Sequence, residues 1–477
     1  MKQYTKQYID GKWVEGSGKK TIQNINPYNN EVLYEFCSAG EKDIDRAFIY
    51  AKNAFIEWSN IQPRERQHYL EKLIVEIENM KDDIYACLIE EGGSTRIKAD
   101  FEYNSIIDVI KYLLCIPYMM EGKILPSNAK GRDNFIVRKP VGVISIITPW
   151  NVPILLAMRS VIPAVATGNS VVLKPSTQTP ASAFIIAELF EKAGFPAGLI
   201  NVISGYGSEI GRQIVNHPFS AMISFTGSTY TGKQVGLWAG EKLKPVLLEL
   251  GGNNVMIVLN DANVQRAAEA AAFGAYFHQG QICMALNRII VMKDIHKAFL
   301  EAFVEETKEL KVGSANNYDA FIGPLISKEH KLKVEKHITD TIRAGAKTVL
   351  EGKSEDNFMS PWIFDEVTND MPAAANEVFG PVCCVLTATD EKHAIELAND
   401  TNYGLSASIY TGDRYHGMQL ADHIVAGMVH VNDQSIIDES HVMFGGEKES
   451  GIGRFNGQWV VNSMTKEKWI SIQSSVN

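Results

Sequence analysis

Across residues 139–259, short β-branched runs alternate with stretches of helical spacing, and this alternation restricts the chain to a small set of folds. Residues 141–148, 170–174, 199–204, 221–225 and 245–248 read as strands, and residues 154–167, 181–194, 208–216 and 231–242 as the helices between them. The strand segments are apolar at successive positions, as expected where both faces of a sheet are covered, so the pattern predicts parallel βαβ units. Ligands of such sheets sit at the carboxyl ends of the strands. The most distinctive short motifs fall there: Pro149-Trp150-Asn151, Lys174-Pro175-Ser176, Phe225-Thr226-Gly227-Ser228 and Glu249-Leu250-Gly251-Gly252. That placement predicts a nucleotide site.

A chain of 477 residues is too long for one compact core and implies roughly two to four domains at about 100–200 residues each. Residues 43–118 have mostly helical, amphipathic spacing; residues 264–277, 295–310, 329–344 and 392–399 read as helices among shorter strands, predicting a second α/β domain. Residues 124–139 read as a protruding hairpin, and residues 468–473 as a last strand. The net charge of −10 offers no attraction to phosphate backbones or anionic lipid, so neither nucleic acid nor membrane is an expected partner. The most apolar stretch, residues 152–173, is broken by Arg159, Pro163, Gly168 and Asn169. Six cysteines are too few for a disulfide framework, which predicts reduced thiols and a cytoplasmic location. Without Cys-X-X-Cys or His-X-X-X-His pairs, no metal site is expected.

Gln279-Gly280-Gln281-Ile282-Cys283 places a thiol just past a glycine, after an apolar helix-like run. A lone cysteine is more often a small buried hydrophobe, and Cys383 and Cys384, in a β-like run, read that way. A thiol able to ionise and a carboxylate able to activate water are the groups needed to form and then hydrolyse a thioester, and Glu249 is the candidate carboxylate. Asn151 follows a Pro-Trp pair; alone it would be a turn residue, but its amide is also a suitable oxyanion donor.

With Asn376-Glu377-Val378-Phe379-Gly380-Pro381, these motifs in this order resemble the aldehyde dehydrogenase superfamily, from Tyr8-Ile9-Asp10-Gly11-Lys12-Trp13 to near the C-terminus. The resemblance implies that the Cys283 thiolate attacks an aldehyde, that hydride leaves for a nicotinamide cofactor, and that Glu249 activates water against the thioester while Asn151 and the Cys283 backbone N–H hold the oxyanion. Relatives that pass the acyl group to coenzyme A generally lack this glutamate, so a free acid is the implied product. The implied cofactor site comprises Ile147, Thr148, Trp150, Lys174, Ser176, Thr177, Gly207, Phe225, Gly227, Ser228, Leu250, Glu377 and Phe379. NAD-preferring relatives often carry Glu where Thr177 stands, so NADP is expected to be at least tolerated beside NAD. Residues 153–163 and 432–439 look like the corresponding segments of bacterial benzaldehyde, salicylaldehyde and vanillin dehydrogenases. On that similarity Leu156, Arg159, Tyr276, Ile282, Ile436 and Ile437 are candidates to line the substrate channel, Arg159 being equally suited to an ion pair. Met284 and Met443 depart from the usual residues at their positions and leave an aliphatic or amino aldehyde open. The resemblance divides the chain into a cofactor-binding domain (residues 1–121 and 141–251), a catalytic domain (252–449) and an oligomerisation element (122–140 and 465–477), and implies a homodimer or homotetramer.

Two other classes compete. Gly227-Ser-Thr-Tyr-Thr-Gly232-Lys233-Gln234 matches a P-loop except that Gln234 replaces the magnesium-ligating hydroxyl, but an NTPase reading leaves Cys283, Glu249 and Asn151 unexplained. A catalytically idle structural relative would have no reason to retain those three.

Overall fold

The computed structural model describes residues 1–474; residues 475–477, at the end of the expected oligomerisation segment, lie outside the described residues. Four helices follow an N-terminal pair of hairpins: α1 (Glu41–Trp58), α2 (Pro63–Asn79), α3 (Lys81–Glu90) and α4 (Arg96–Leu113). The alternating region then forms as the sequence predicts, with α5 (Pro153–Ala166), α6 (Pro180–Lys192), α7 (Gly207–Asn216) and α8 (Thr229–Gly240) between parallel strands.

The order of those strands positions the site. From one edge inward they are Ile200–Val202, Ser170–Lys174, Val143–Ile147, Ser220–Thr226 and Val246–Glu249, so the chain winds outward in one direction from Val143–Ile147 and then resumes on its other side. A crevice opens at such a reversal, beyond the carboxyl ends of the two central strands. Short antiparallel strands complete the eight-stranded sheet, Gln7–Ile9 with Lys12–Val14 at one edge and Gly451–Ile452 at the other. Alternation within each strand explains why the sequence shows unbroken apolar runs. Ile144, Ile146, Val171 and Leu173 face the core under α5 and α6, whereas Val143 and Val172 face Ile44, Ala47, Phe48 and Ala51 of α1.

The second sheet has seven strands, ordered Lys347–Leu350, Trp362–Asp365, Val382–Ala388, Leu286–Met292, Asn254–Val258, Ser406–Tyr410 and Met428–Val431, all parallel except the first. Helices α9 (Val264–Tyr276), α10 (His296–Lys308) and α11 (Lys328–Arg343) belong to this half. Cys383 and Cys384 are buried in its strand Val382–Ala388. A third sheet protrudes: Lys123–Leu125 and Arg132–Pro140 form the expected hairpin, and Thr465–Gln473 adds to it over nine residue pairs, from Thr465 opposite Pro140 to Gln473 opposite Arg132. Among the described residues no helix is long and apolar enough to cross a membrane.

Candidate active site

Two cavities meet between the sheets. The larger, about 450 Å³, runs over the crevice of the first sheet, and the smaller, about 300 Å³, descends from the surface between α4, α5 and residues 436–444. Three residues line both: Asn151, Leu156 and Cys283. Segments more than 130 residues apart in sequence are thus brought to one point where two voids join.

Local backbone geometry delivers the thiol. After α9 a short 3-10 turn, Phe277–Gly280, carries His278 at φ 51°, Gln279 at φ 57° and Gly280 at φ 70°. Two consecutive non-glycine residues in the left-handed region, His278 and Gln279, are costly and persist only where their surroundings hold them. Gln279 Nε2 donates to Pro324 O at 2.8 Å, and Gln281 Oε1 accepts from Ile326 N at 3.0 Å. Gly280 lies so close to the Gly380 carbonyl that no side chain fits. Asn151 Nδ2 donates to Gln281 O at 2.9 Å, tying the end of the first sheet's crevice to this strap. Since an amide nitrogen carries two hydrogens, one remains for a ligand.

The electrostatics keep the thiol protonated in the free protein. Burial, then the charges of Glu249 and Glu377, push Cys283 up to about 12, partly offset by Arg159. Glu249 is 4% exposed, ends strand Val246–Glu249, and has neither carboxylate oxygen in a hydrogen bond. Burial raises it well above the ordinary carboxylate value, against the pull of Arg159 and Arg454. A carboxyl group so placed carries a desolvation cost that no hydrogen-bond partner offsets. Its room comes from Gly445, where a Cβ would stand 2.9 Å from Glu249 Oε1.

In the larger cavity, Lys174 is 5% exposed, makes its side-chain hydrogen bond to Pro175 O at 3.0 Å, and is pulled down to about 8 by burial. A buried ammonium with one neutral partner fits a hydroxyl- or phosphate-bearing ligand. Ser176 and Thr177 lie beside it on the wall. Ser228, beside Gly227 on the wall, accepts from Thr231 N as the N-cap of α8, which brings the positive end of that helix's dipole to the cavity. At the other end Glu377 Oε1 accepts from Gly252 N at 3.0 Å, and burial raises the carboxyl to about 7. Phe379, with φ 54°, stands edge-on to Trp150 at 5.4 Å between ring centres. These features match a dinucleotide: a polar pocket around Lys174, a helix start in the middle, and an aromatic and carboxylate end beside Cys283.

Thr148, Phe225 and Leu250 also line this cavity, as the sequence reading expects. Ile147 and Gly207 do not. Ile147 packs into the core clusters on either side of its strand, and Gly207 opens α7 in an exposed position. Of the six channel candidates, Leu156, Arg159, Ile282, Ile436 and Ile437 line the smaller cavity. Tyr276 is a correction: its ring is fully buried against Phe303, its hydroxyl donates to Trp362 O at 3.0 Å, and it lines neither cavity. The last residue of α9 faces the second sheet's core because α9 packs there along its length. Arg159 resolves toward the ion pair: its guanidinium bonds to Asp438 and lies over the Phe444 ring at 4.2 Å. Met284 lines the channel, whereas Met443 lines a neighbouring cavity. Lys233 pairs with Glu449 at 2.7 Å, so the P-loop-like lysine is already engaged.

Several wall residues have no sequence signal. His330 on α11 donates from Nε2 to Phe379 O at 2.7 Å and stands edge-on to Trp150 at 5.5 Å. Phe101, Ser105, Asp108 and Val109 bring one face of α4 to the channel. Only the pairing of distant helices reveals them.

The aldehyde dehydrogenase family profile matches residues 13–470. A vanillin dehydrogenase of Corynebacterium glutamicum is 44% identical over 474 residues, covering 99% of this chain and 98% of that protein. The crystal structure of an NAD-dependent benzaldehyde dehydrogenase from Corynebacterium glutamicum is 40% identical, with a TM-score of 0.91 and 99% of each chain covered. A betaine aldehyde dehydrogenase of Staphylococcus aureus, solved in complex with NAD+, is 34% identical with a TM-score of 0.95, covering 98% of this chain and 95% of that one. Fold, site geometry and full-length similarity together establish that this chain belongs to the aldehyde dehydrogenase family.

Proposed function

We propose that the protein oxidises an aromatic aldehyde to the carboxylic acid with NAD, and with NADP as an accepted alternative. The observation that carries this reading is the junction of the two cavities at Cys283 and Asn151. An aldehyde entering through the smaller cavity meets the sulfur on one side while the larger cavity opens on the other. Phe101, Leu155, Leu156, Ile282, Met284, Ile436 and Phe444 give the channel apolar walls suited to a flat ring, and the vanillin and benzaldehyde dehydrogenases among the relatives support the same class.

Cys283 Sγ gives up its proton to solvent and attacks the aldehyde carbon. The oxyanion that develops lies between the free Asn151 N–H and the Cys283 backbone N–H, donors already held by the strap. A bound nicotinamide dinucleotide supplies the acceptor for the hydride leaving that carbon. Glu249, ionised for this step, then takes a proton from water as the water oxygen adds to the thioester carbon; the C–S bond breaks to release the acid, and that proton passes to the departing sulfur and restores the thiol. The unpartnered Glu249 carboxylate supports this role. Lys174 and Ser176 would hold the adenosine ribose, Gly227 and Ser228 the pyrophosphate, and Glu377 and Phe379 the nicotinamide ribose and ring.

Thr177 places no carboxylate at the Lys174 end of the cavity, which supports acceptance of a 2′-phosphate. The three largest sheets support the division into cofactor-binding, catalytic and oligomerisation segments, with the edge strand Gly451–Ile452 of the first sheet falling outside them. Exposed Ile124, Trp469 and Ile472 on the protruding sheet support assembly into a dimer or tetramer through that surface, and a cytoplasmic location fits the free thiols. The test is a kinetic panel of ring-substituted benzaldehydes and straight-chain aldehydes with each cofactor. The reading expects the highest kcat/KM among the aromatic compounds; preference for short aliphatic aldehydes would overturn the substrate class, and no turnover with NADP would overturn the cofactor reading.

A further inference from the structure

Helix α5 begins two residues after Asn151, and its first turn has no cap of its own. Val152 at the N-cap has no side-chain acceptor and Pro153 has no N–H, so the donors left over are Ile154 N and Leu155 N. Both donate to Glu102 Oε1, at 2.9 and 3.1 Å. Glu102 comes from α4, about fifty residues earlier, is fully buried, and is ion-paired with the equally buried Lys98 one turn away on the same helix. A carboxylate at a helix start is favoured by the helix dipole as well as by these bonds.

The same turn of α4 also touches the nucleophile strap. Phe101 stands edge-on to Phe277, the first residue of the strap, at 5.3 Å between ring centres. His278, fully buried, is held neutral by burial and by the nearby Lys98 charge, against the Asn151 backbone, which pulls it the other way. One helical turn, residues 98–102, therefore contacts both elements whose spacing decides whether the Asn151 amide faces the Cys283 carbonyl adduct.

We infer that Glu102 is a positioning residue: bound to Lys98, it fixes the start of α5 and through it the Asn151 amide relative to Cys283. This rests on the oxyanion role proposed for Asn151. Glu102 itself lines neither cavity; its action is through the backbone of Ile154 and Leu155.

Two double variants separate the acceptor from the charge. Lys98→Met with Glu102→Gln removes the ion pair but keeps a carbonyl acceptor for the two N–H groups; Lys98→Met with Glu102→Leu removes both. The first should keep kcat/KM for benzaldehyde within about threefold of the parent, and the second should lose at least about tenfold, since a small misplacement of a catalytic donor can cost up to ~10²-fold. Cofactor binding, followed by fluorescence quenching, should change by less than about twofold in both. In an Asn151→Ala background the tenfold loss should shrink to less than about twofold, because the effect acts through that amide. Should the leucine variant not fold, Glu102→Asp, which withdraws the acceptor by one methylene and keeps the charge, is read in the same cycle with the same expectation. Equal losses in the glutamine and leucine variants, or a loss undiminished in the Asn151→Ala background, overturn the inference alone. Parent-like turnover by Asn151→Ala itself overturns the oxyanion role and this inference with it.

Discussion

Replacing Glu249 by Gln isolates chemistry from structure because its carboxylate oxygens make no hydrogen bond that the substitution could break. The amide occupies nearly the same volume against Gly445, where the space is already filled. What is lost is the proton acceptor for water, and a positioned general base contributes about 10²–10⁴-fold to rate, so steady-state kcat should fall by at least about 10². Acylation does not need that base against water, so the first turnover should survive. Stopped-flow absorbance at the reduced-cofactor band should show a burst approaching one equivalent per active site and then a slow steady state. Stability supplies an independent check. The folded protein raises the Glu249 carboxyl above its unfolded value, so the folded state holds that proton more tightly, and stability associated with the protonated group is lost as pH rises toward the folded pKa. Glu249→Gln has no proton to lose, so its melting temperature relative to the parent should rise with pH. Unchanged kcat, or slow turnover without a burst, would refute the assignment of Glu249 to the hydrolytic step.

Three further outcomes follow from the same geometry. With Cys283 pushed up to about 12, alkylation of the free enzyme by iodoacetamide at this residue should rise about tenfold per pH unit from pH 6.5 to 9 without a plateau, mapped by peptide mass spectrometry; a plateau near neutrality would contradict the burial argument. Thr177→Glu should raise the KM for NADP by about tenfold or more through repulsion of a 2′-phosphate, leaving that for NAD within about twofold; equal effects on both cofactors would remove Thr177 from the ribose site. Tyr276→Phe should leave kcat/KM for aromatic aldehydes within about twofold while costing about 1 kcal/mol of stability, because its hydroxyl bonds to Trp362 O and faces the core; a specific change in aldehyde KM would return it to the channel.

The alternating strands and helices of residues 139–259 were legible because parallel strands buried on both faces need unbroken apolar runs, and because each motif marks a strand end. The observed strand Ser170–Lys174 begins and ends where the sequence places it. The two-sided cavity was not legible as a shape. Its junction depends on a hydrogen bond from Asn151 to Gln281 across 130 residues and on three left-handed residues whose conformation only tertiary contacts enforce. Tyr276 shows the limit of local reading: its neighbours in sequence point toward the nucleophile, but the last turn of α9 turns it into the second sheet's core. Asp438 was visible within its motif, yet its pairing with Arg159 needed the fold. The α4 wall, with Phe101 and Asp108, left no pattern beyond ordinary amphipathic spacing.

Turnover depends above all on transient acylation of one sulfur. Rapid quench of Glu249→Gln during its burst with benzaldehyde and NAD, followed by intact and peptide mass spectrometry, should reveal a benzoyl mass increment on the peptide carrying Cys283 and on no other cysteine. Absence of that adduct while reduced cofactor accumulates, or its appearance on Cys115 or Cys37 instead, would contradict the account.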